Sequence, residues 1–173
     1  MAKEQDKILQ ILQLAIKMER DGKKFYLRVS QESQHQLGKK LLETLAGEED
    51  IHRQQFEEIF EAIRQKKAWP KTDFHPDKGK TIETIFAKAA KETNPSTVTE
   101  QDAIEVAIDM ENQSYDLYKN QAAAATDAGE KSFYETLAAE ERGHQIALTD
   151  YLEFLQEPAD WFVMKEHHSL DGG

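Results

Sequence analysis

The chain has 173 residues, 39% hydrophobic and 32% charged, with a formal net charge of −11. That composition builds one helical globular domain with its own core rather than a disordered chain. The complete absence of cysteine excludes disulfides, iron–sulfur clusters, rubredoxin-type centres and thiol catalysis within this chain, and the acidic balance argues against nucleic acid as a partner.

Four long helical patterns are predicted in chain order, near residues 4–34, 37–65, 99–127 and 129–155. Their start, "MAKEQDKILQ", is too polar for a signal peptide, and no apolar run reaches the roughly 18–20 residues of a membrane span. A cytoplasmic location without a membrane partner is the default expectation. The first and second patterns meet around Leu37-Gly38, and the third and fourth around Ala128-Gly129. Joints this short make antiparallel neighbours. Between the second and third patterns, Trp69-Pro70, His75-Pro76 and Asn94-Pro95 break the helix, and Thr81 to Glu92 reads as a short helix inside this crossover. Thr99 with Asp102 resembles a capping box that starts the third helix. Pro158 ends the fourth, and Trp161 and Phe162 in the tail are expected to dock on the bundle. The chain is therefore predicted to be all-α: one domain over 1–173, an antiparallel four-helix bundle with core 4–155, crossover 66–98 and C-terminal tail 156–173. Two antiparallel pairs joined by a long crossover is ferritin-like connectivity.

Residues 10–60 lie over 102–152 at a constant offset of 92, without a gap. "AIKMERDGKKFY" falls on "AIDMENQSYDLY" and "ETLAGEEDIH" on "ETLAAEERGH". Shared composition makes two helices alike at scattered places, but it does not put a Glu and, thirty residues on, a Glu-x-x-His in the same register twice. Two related helical hairpins packed with approximate two-fold symmetry are expected.

The apolar stripe of each helix, with steps of three and four, carries intruders. In the second helix the stripe runs Leu42, Leu45, Glu49, His52, Phe56, Ile59, Ile63; in the fourth, Tyr134, Leu137, Glu141, His144, Leu148, Tyr151, Leu155. Glu19 interrupts the stripe of the first helix between Ala15 and Gly22, and Glu111 that of the third between Ala107 and Ser114. Residues at i and i+3 share a helix face, so each Glu-x-x-His can hold one metal jointly. One Glu from each of two helices and a Glu-x-x-His from each of the other two is the pattern of di-iron and di-manganese carboxylate bundles. A lone Glu is ordinarily a solvated residue, and a lone buried His ordinarily a hydrogen-bonded one. Four buried carboxylates, however, cost several kcal/mol each without compensation, and no matching Lys or Arg stands on these stripes. Four glutamates carry four negative charges, which two divalent ions balance, as do two ferric ions with one oxide bridge. Oxygen and imidazole ligands suit iron or manganese; zinc also fits and is redox-silent.

Tyr26 and Tyr118 each follow the Glu of their helix by seven residues, two turns along the same face. Their hydroxyls either hydrogen-bond a ligand carboxylate or serve ordinary core packing. Glu48 and Glu140 each precede a ligand Glu by one; they either orient the histidine of the other half or sit exposed. His35, His75, His167 and His168 are expected at the surface, with no role.

"AIKMERDGKKFYLR", "LAGEEDIH", "AIDMENQSYDLY" and "LAAEERGH" together resemble the ferritin-like superfamily, and most closely its rubrerythrin-type members, over about residues 8–155. The resemblance implies a non-haem centre of two iron ions, Fe2+/Fe3+ and oxo-bridged when oxidised, that reacts with hydrogen peroxide or dioxygen in defence against oxidative stress. Carried over by position, the ligands are Glu19, Glu49, His52, Glu111, Glu141 and His144, with Glu49 and Glu141 as bridges. Members of the two-domain type carry a cysteine-bound rubredoxin domain that feeds in electrons. This chain has no cysteine, so the resemblance implies an external electron-donor protein, and a homodimer is one possible assembly. Those members also carry an extra ligand Glu three residues after the Glu of the third helix, where this chain has Ser114; the symmetric set that remains is closer to the bacterioferritin type of centre. The implied function is an oxidoreductase reducing peroxide or dioxygen. The alternatives are an iron-handling ferroxidase and a non-catalytic module stapled by metal, with an oxygenase resting on superfamily analogy alone.

Overall fold

The computed structural model describes residues 2–65, 68–70, 98–159 and 161. Four helices run α1 Ala2–Glu32, α2 Gln36–Arg64, α3 Val98–Ala124 and α4 Ala128–Gln156. They make an all-α bundle, as the periodicity predicts. The short helix expected at 81–92 lies outside the described residues, as do Phe162 and the side chain of Thr99.

α1 packs closely on α2 and α3 on α4, while α1 lies beside α3 and α2 beside α4 across looser seams. Tyr26 of α1 reaches Glu111 of α3, and Tyr118 of α3 reaches Glu19 of α1, so these two helices are antiparallel. By the same reasoning His52–Glu140 and His144–Glu48 make α2 and α4 antiparallel. α2 and α3 therefore point the same way, and the chain between them must travel back along the bundle. A 27-residue helix is about 40 Å long, so this return needs at least about 12 extended residues. A short joint is geometrically closed to it. At its outset Trp69 crosses onto the start of α4, 5.9 Å from the Phe133 ring and 5.8 Å from Tyr134.

The core falls into two parts. Tyr26, Leu41, Leu45, Ile104, Leu148 and Tyr151 belong to one, with Trp161 from the tail; Leu12, Phe56, Ile59, Tyr118, Phe133 and Leu137 belong to the other. Between them lies a layer of buried Glu and His. Trp161 is buried, packs edge-on against Phe154 and donates its indole N–H to Asp150 at 3.2 Å, so the tail docks at this residue.

The joints differ from the sequence expectation. The α1–α2 joint is Ser33–His35, not Leu37-Gly38, and the α3–α4 joint ends at Asp127, not at Gly129. Asp127 is the N-cap of α4, its carboxylate accepting from the N–H groups of Gly129 and Glu130 at 2.8 and 3.0 Å, a stronger start signal than the glycine after it. Gly38 is buried inside α2 because a Cβ there would overlap the Tyr151 hydroxyl and sit 2.7 Å from Ser33 Oγ. It is a packing glycine rather than a breaker. Gly38→Ala should destabilise the fold by about 1–3 kcal/mol through overpacking. Gly143→Ala, whose Cβ meets open space, should stabilise it by roughly 0.5–1 kcal/mol through helix propensity; urea denaturation of both variants checks the opposite signs.

His35 is a correction as well. It is 1% exposed, not at the surface, because it caps the entry into α2 with its ring edge-on to Phe154 at 5.6 Å. His75, His167 and His168 lie outside the described residues. Beside His35, Glu100 is buried and accepts from Ser33 Oγ at 2.5 Å and Tyr151 at 2.8 Å. Sequence reasoning missed this acid. The stripe of α3, extended one turn back from Ile104, contains it, but the two-fold repeat sets it against Ile8 and hides the pattern.

Candidate metal centre

Glu19, Glu49, His52, Glu111, Glu141 and His144 all lie in the buried layer, none more than 5% exposed. α1 and α3 each bring one carboxylate at mid-length; α2 and α4 each bring a carboxylate and, three residues on, an imidazole from the same face. Their atoms form two groups, Glu19–Glu49–His52–Glu141 and Glu49–Glu111–Glu141–His144. Within each group one nitrogen or oxygen per residue lies within 4.8 Å of all the others. Glu49 and Glu141 belong to both groups, so the two share an edge.

The imidazoles are stacked, 5.7 Å between centroids and 13° apart, and both aim Nδ1 inward. Nδ1 of His52 is 3.3 Å from Glu19 and 3.2 Å from Glu141. Nδ1 of His144 is 3.5 to 3.7 Å from Glu49, Glu111 and Glu141. Each Nε2 points outward to the acid that precedes the ligand-position Glu of the other half: His52 to Glu140 at 2.9 Å and His144 to Glu48 at 2.7 Å. In the neutral imidazole, a carboxylate at Nε2 favours the tautomer with its proton there and the Nδ1 lone pair toward the centre. Glu48 and Glu140 are thus half-buried partners of the histidines and not exposed helix positions. The tyrosines also cross between halves. Tyr26 donates to Glu111 and Tyr118 to Glu19, and both are fully buried.

The buried acids and imidazoles perturb one another strongly. Burial, and then the charges of Glu19 and Glu111, push Glu49 well above the usual carboxylate range. Burial and then Glu111 do the same to Glu141. Burial would raise Glu111 too, but hydrogen bonding with Glu141 and the neighbouring His144 and Tyr26 hold it down to about 2. Burial would lower both histidines, yet the surrounding acids raise them well above the imidazole range: Glu140, Glu141 and Glu19 around His52, and Glu111, Glu48 and Glu49 around His144. Burial and the nearby carboxylates push Tyr26 and Tyr118 up, so both stay protonated donors.

Oε2 of Glu19, Oε1 of Glu49, Oε1 of Glu141 and Nδ1 of His144 are buried without a hydrogen bond among the described residues. Such orphaned atoms are rare in a native core, and here they converge. The residues therefore fit a pair of metal ions: hard oxygen and borderline nitrogen donors, arranged as two groups with a common edge.

The family model described as rubrerythrin matches residues 10–152. The chain belongs to the rubrerythrin family. Comparison with curated proteins and with solved structures gives no match. The match to the rubrerythrin model covers both halves of the internal repeat and every residue of the buried layer. A rubrerythrin-type domain implies a di-iron or other metal site, and the buried Glu and His groups are able to bind one. Among the described residues no helix is long and apolar enough to cross a membrane.

Within this site the outward partners are testable. Glu48→Ala removes the acceptor from Nε2 of His144 and should weaken metal binding about 10–100-fold, with little change in the helix content of the metal-free protein. Competition with a chromophoric chelator reads the affinity, and circular dichroism reads the fold.

Proposed function

We propose that this rubrerythrin-family chain holds two iron ions between Glu19, Glu49, His52, Glu111, Glu141 and His144 and reduces hydrogen peroxide, or dioxygen, with electrons from an external donor protein. The observation that carries this reading is the sharing of Glu49 and Glu141 by both four-residue groups, which suits two ions acting on one small molecule. When bound, the two irons supply Lewis acidity and one electron each, enough to cleave the O–O bond of one peroxide, which takes up two protons and leaves as two waters.

The chain's own residues supply the rest. Glu48 and Glu140 hold the imidazoles with Nδ1 toward the ions. Tyr26 and Tyr118 donate to Glu111 and Glu19, which fixes those carboxylates and leaves their other oxygens for the metal. The apolar parts of the core above and below the layer exclude bulk water and so strengthen the electrostatics inside. Four carboxylates balance the charge of two divalent ions.

Iron oxidation in iron handling is a second reading, favoured by Ser114 at the place where two-domain members have an extra ligand Glu. Stopped-flow mixing of the anaerobic ferrous protein with peroxide, and separately with dioxygen, tests both. Oxidation by peroxide well ahead of free Fe2+ and of the dioxygen arm supports the peroxidase. Oxidation no faster than that of free Fe2+ rejects it, and a dioxygen arm that outruns the peroxide arm moves the assignment to ferroxidase.

A further inference from the structure

The two halves of the centre are not equally enclosed. A cavity of about 150 Å3 lies between α1 and α3, lined by Met18, Gly22, Met110 and Ser114 and reaching Glu49 and Glu111. Its outer rim is formed by Asp21 and Gln113, both exposed. Met18 and Met110 are equivalent in the internal repeat, as are Asp21 and Gln113, so the cavity straddles the pseudo-two-fold axis. The symmetry breaks at the rim, where Asp21 answers to Gln113, and inside the cavity, where Gly22 answers to Ser114. A Cβ on Gly22 would lie 2.7 Å from Glu49 Oε2, so only glycine leaves that carboxylate oxygen its present place. Glu49 is also the most exposed of the six centre residues, at 5%, against 1% for its repeat equivalent Glu141. Glu19 and His52, which complete the other group, do not line the cavity.

We infer that this slot is the route by which a small exogenous molecule reaches the centre, that it opens on the Glu49 and Glu111 side of it, and that Gly22 and Ser114 set its width. The inference rests on the metal-centre reading above. The volume holds a few waters or a molecule up to about the size of one benzene ring, so peroxide and dioxygen enter freely and a ligand of two fused rings does not. Met18 and Met110 give part of the wall an adaptable surface, beside the polar Tyr26 and Ser114. Gly22 also gives Glu49 room to swing at the mouth of the slot. Gly22 and Ser114 are positioning residues, since neither offers a group to the reaction.

The test uses the protein loaded with Co2+, whose ligand-field absorbance reports a new ligand without turnover. Azide should bind with one equivalent per chain, and 2-naphthoate, with two fused rings, should leave the spectrum unchanged. Ser114→Leu, which fills the slot without touching Glu49, should still take up Co2+ with wild-type stoichiometry but slow azide association at least about tenfold. Met110→Trp should do the same if Ser114→Leu does not fold. Lys131→Ala, at an exposed position in the first turn of α4 and outside the slot's lining, should leave the azide rate unchanged. Gly22→Ala should weaken Co2+ binding while the metal-free protein melts no lower than the wild type, because the displaced Glu49 terminus is free to move only when no ion holds it. Unchanged azide kinetics in both slot-filling variants, or 2-naphthoate binding as readily as azide, would overturn the slot. Failure of the wild type to hold two Co2+ would instead overturn the metal centre, and the slot with it.

Discussion

Replacing Glu49 with Gln is expected to weaken both metal positions at once, by more than roughly 100-fold, beyond the usual loss from an outer partner of a ligand. Glu141→Gln should do the same, because these two carboxylates alone belong to both groups. Glu19→Gln should disable only the position completed by His52, and Glu111→Gln only the one completed by His144. The substitutions should not unfold the protein. Burial and like charge already raise Glu49 and Glu141, and an ionised carboxylate in such a place costs several kcal/mol. A neutral amide of the same shape removes that cost. The metal-free Glu49→Gln and Glu141→Gln proteins should therefore melt at or above the wild-type temperature near pH 8, while binding less metal. Elemental analysis after dialysis, paired with thermal denaturation of the same samples, reads both quantities. Two ions retained by Glu49→Gln with unchanged affinity would contradict the shared edge.

The metal-free and metal-loaded proteins should respond to pH in opposite directions. A group whose pKa is raised by folding adds stability below its unfolded value and gives it up as pH climbs through the folded value. Glu49 and Glu141 start from 4.5, and His52 and His144 from 6.5; all four are raised. The metal-free protein should thus lose stability as pH rises above about 5 and go on losing it across neutrality. Glu111 acts the other way. It is depressed to about 2, so its contribution is present above 4.5 and is lost on acidification toward that lower value. A mildly acid optimum follows for the metal-free form. The melting temperature of the metal-free form should therefore fall as pH is raised through neutrality. Metal reverses the trend, because ligation needs the deprotonated groups. The loaded protein should be most stable at neutral pH and above, and should shed its ions in acid. Loading near pH 7 in weak buffer should release about two protons or more per chain, those of His52 and His144. Scanning calorimetry across pH with and without Co2+ separates this from general surface repulsion, since the surface charge is common to both forms. Parallel curves would show that the buried layer does not control the titration.

Much of this was legible before any coordinate. The steps of three and four along each helix located the stripe, and the Glu and His standing in it were legible as a set whose burial calls for a compensating charge. Glu48 and Glu140 were not decidable in that way. Their helix positions border the stripe, and whether such a position faces solvent or a histidine depends on the separation of α2 and α4, which no local pattern encodes. Gly38 failed for a similar reason. A glycine between two helical patterns reads as a joint, and the Tyr151 hydroxyl that requires its bare Cα comes from more than a hundred residues away. His35 looked like a loop histidine because it lies between helices; packing against Phe154 buries it.

The sequence alone determined the helices, the repeat, the fold class and the six buried acids and imidazoles, since each is a matter of spacing within one helix or of self-similarity along the chain. The tertiary structure alone decided which residues meet across the seams. It set Tyr26 on Glu111 and Tyr118 on Glu19, turned the outer face of each histidine to the acid of the other half, and left the slot beside Gly22. Those pairings depend on the distance and rotation between helices, which are fixed by the summed packing of both apolar parts of the core and by no short stretch of sequence.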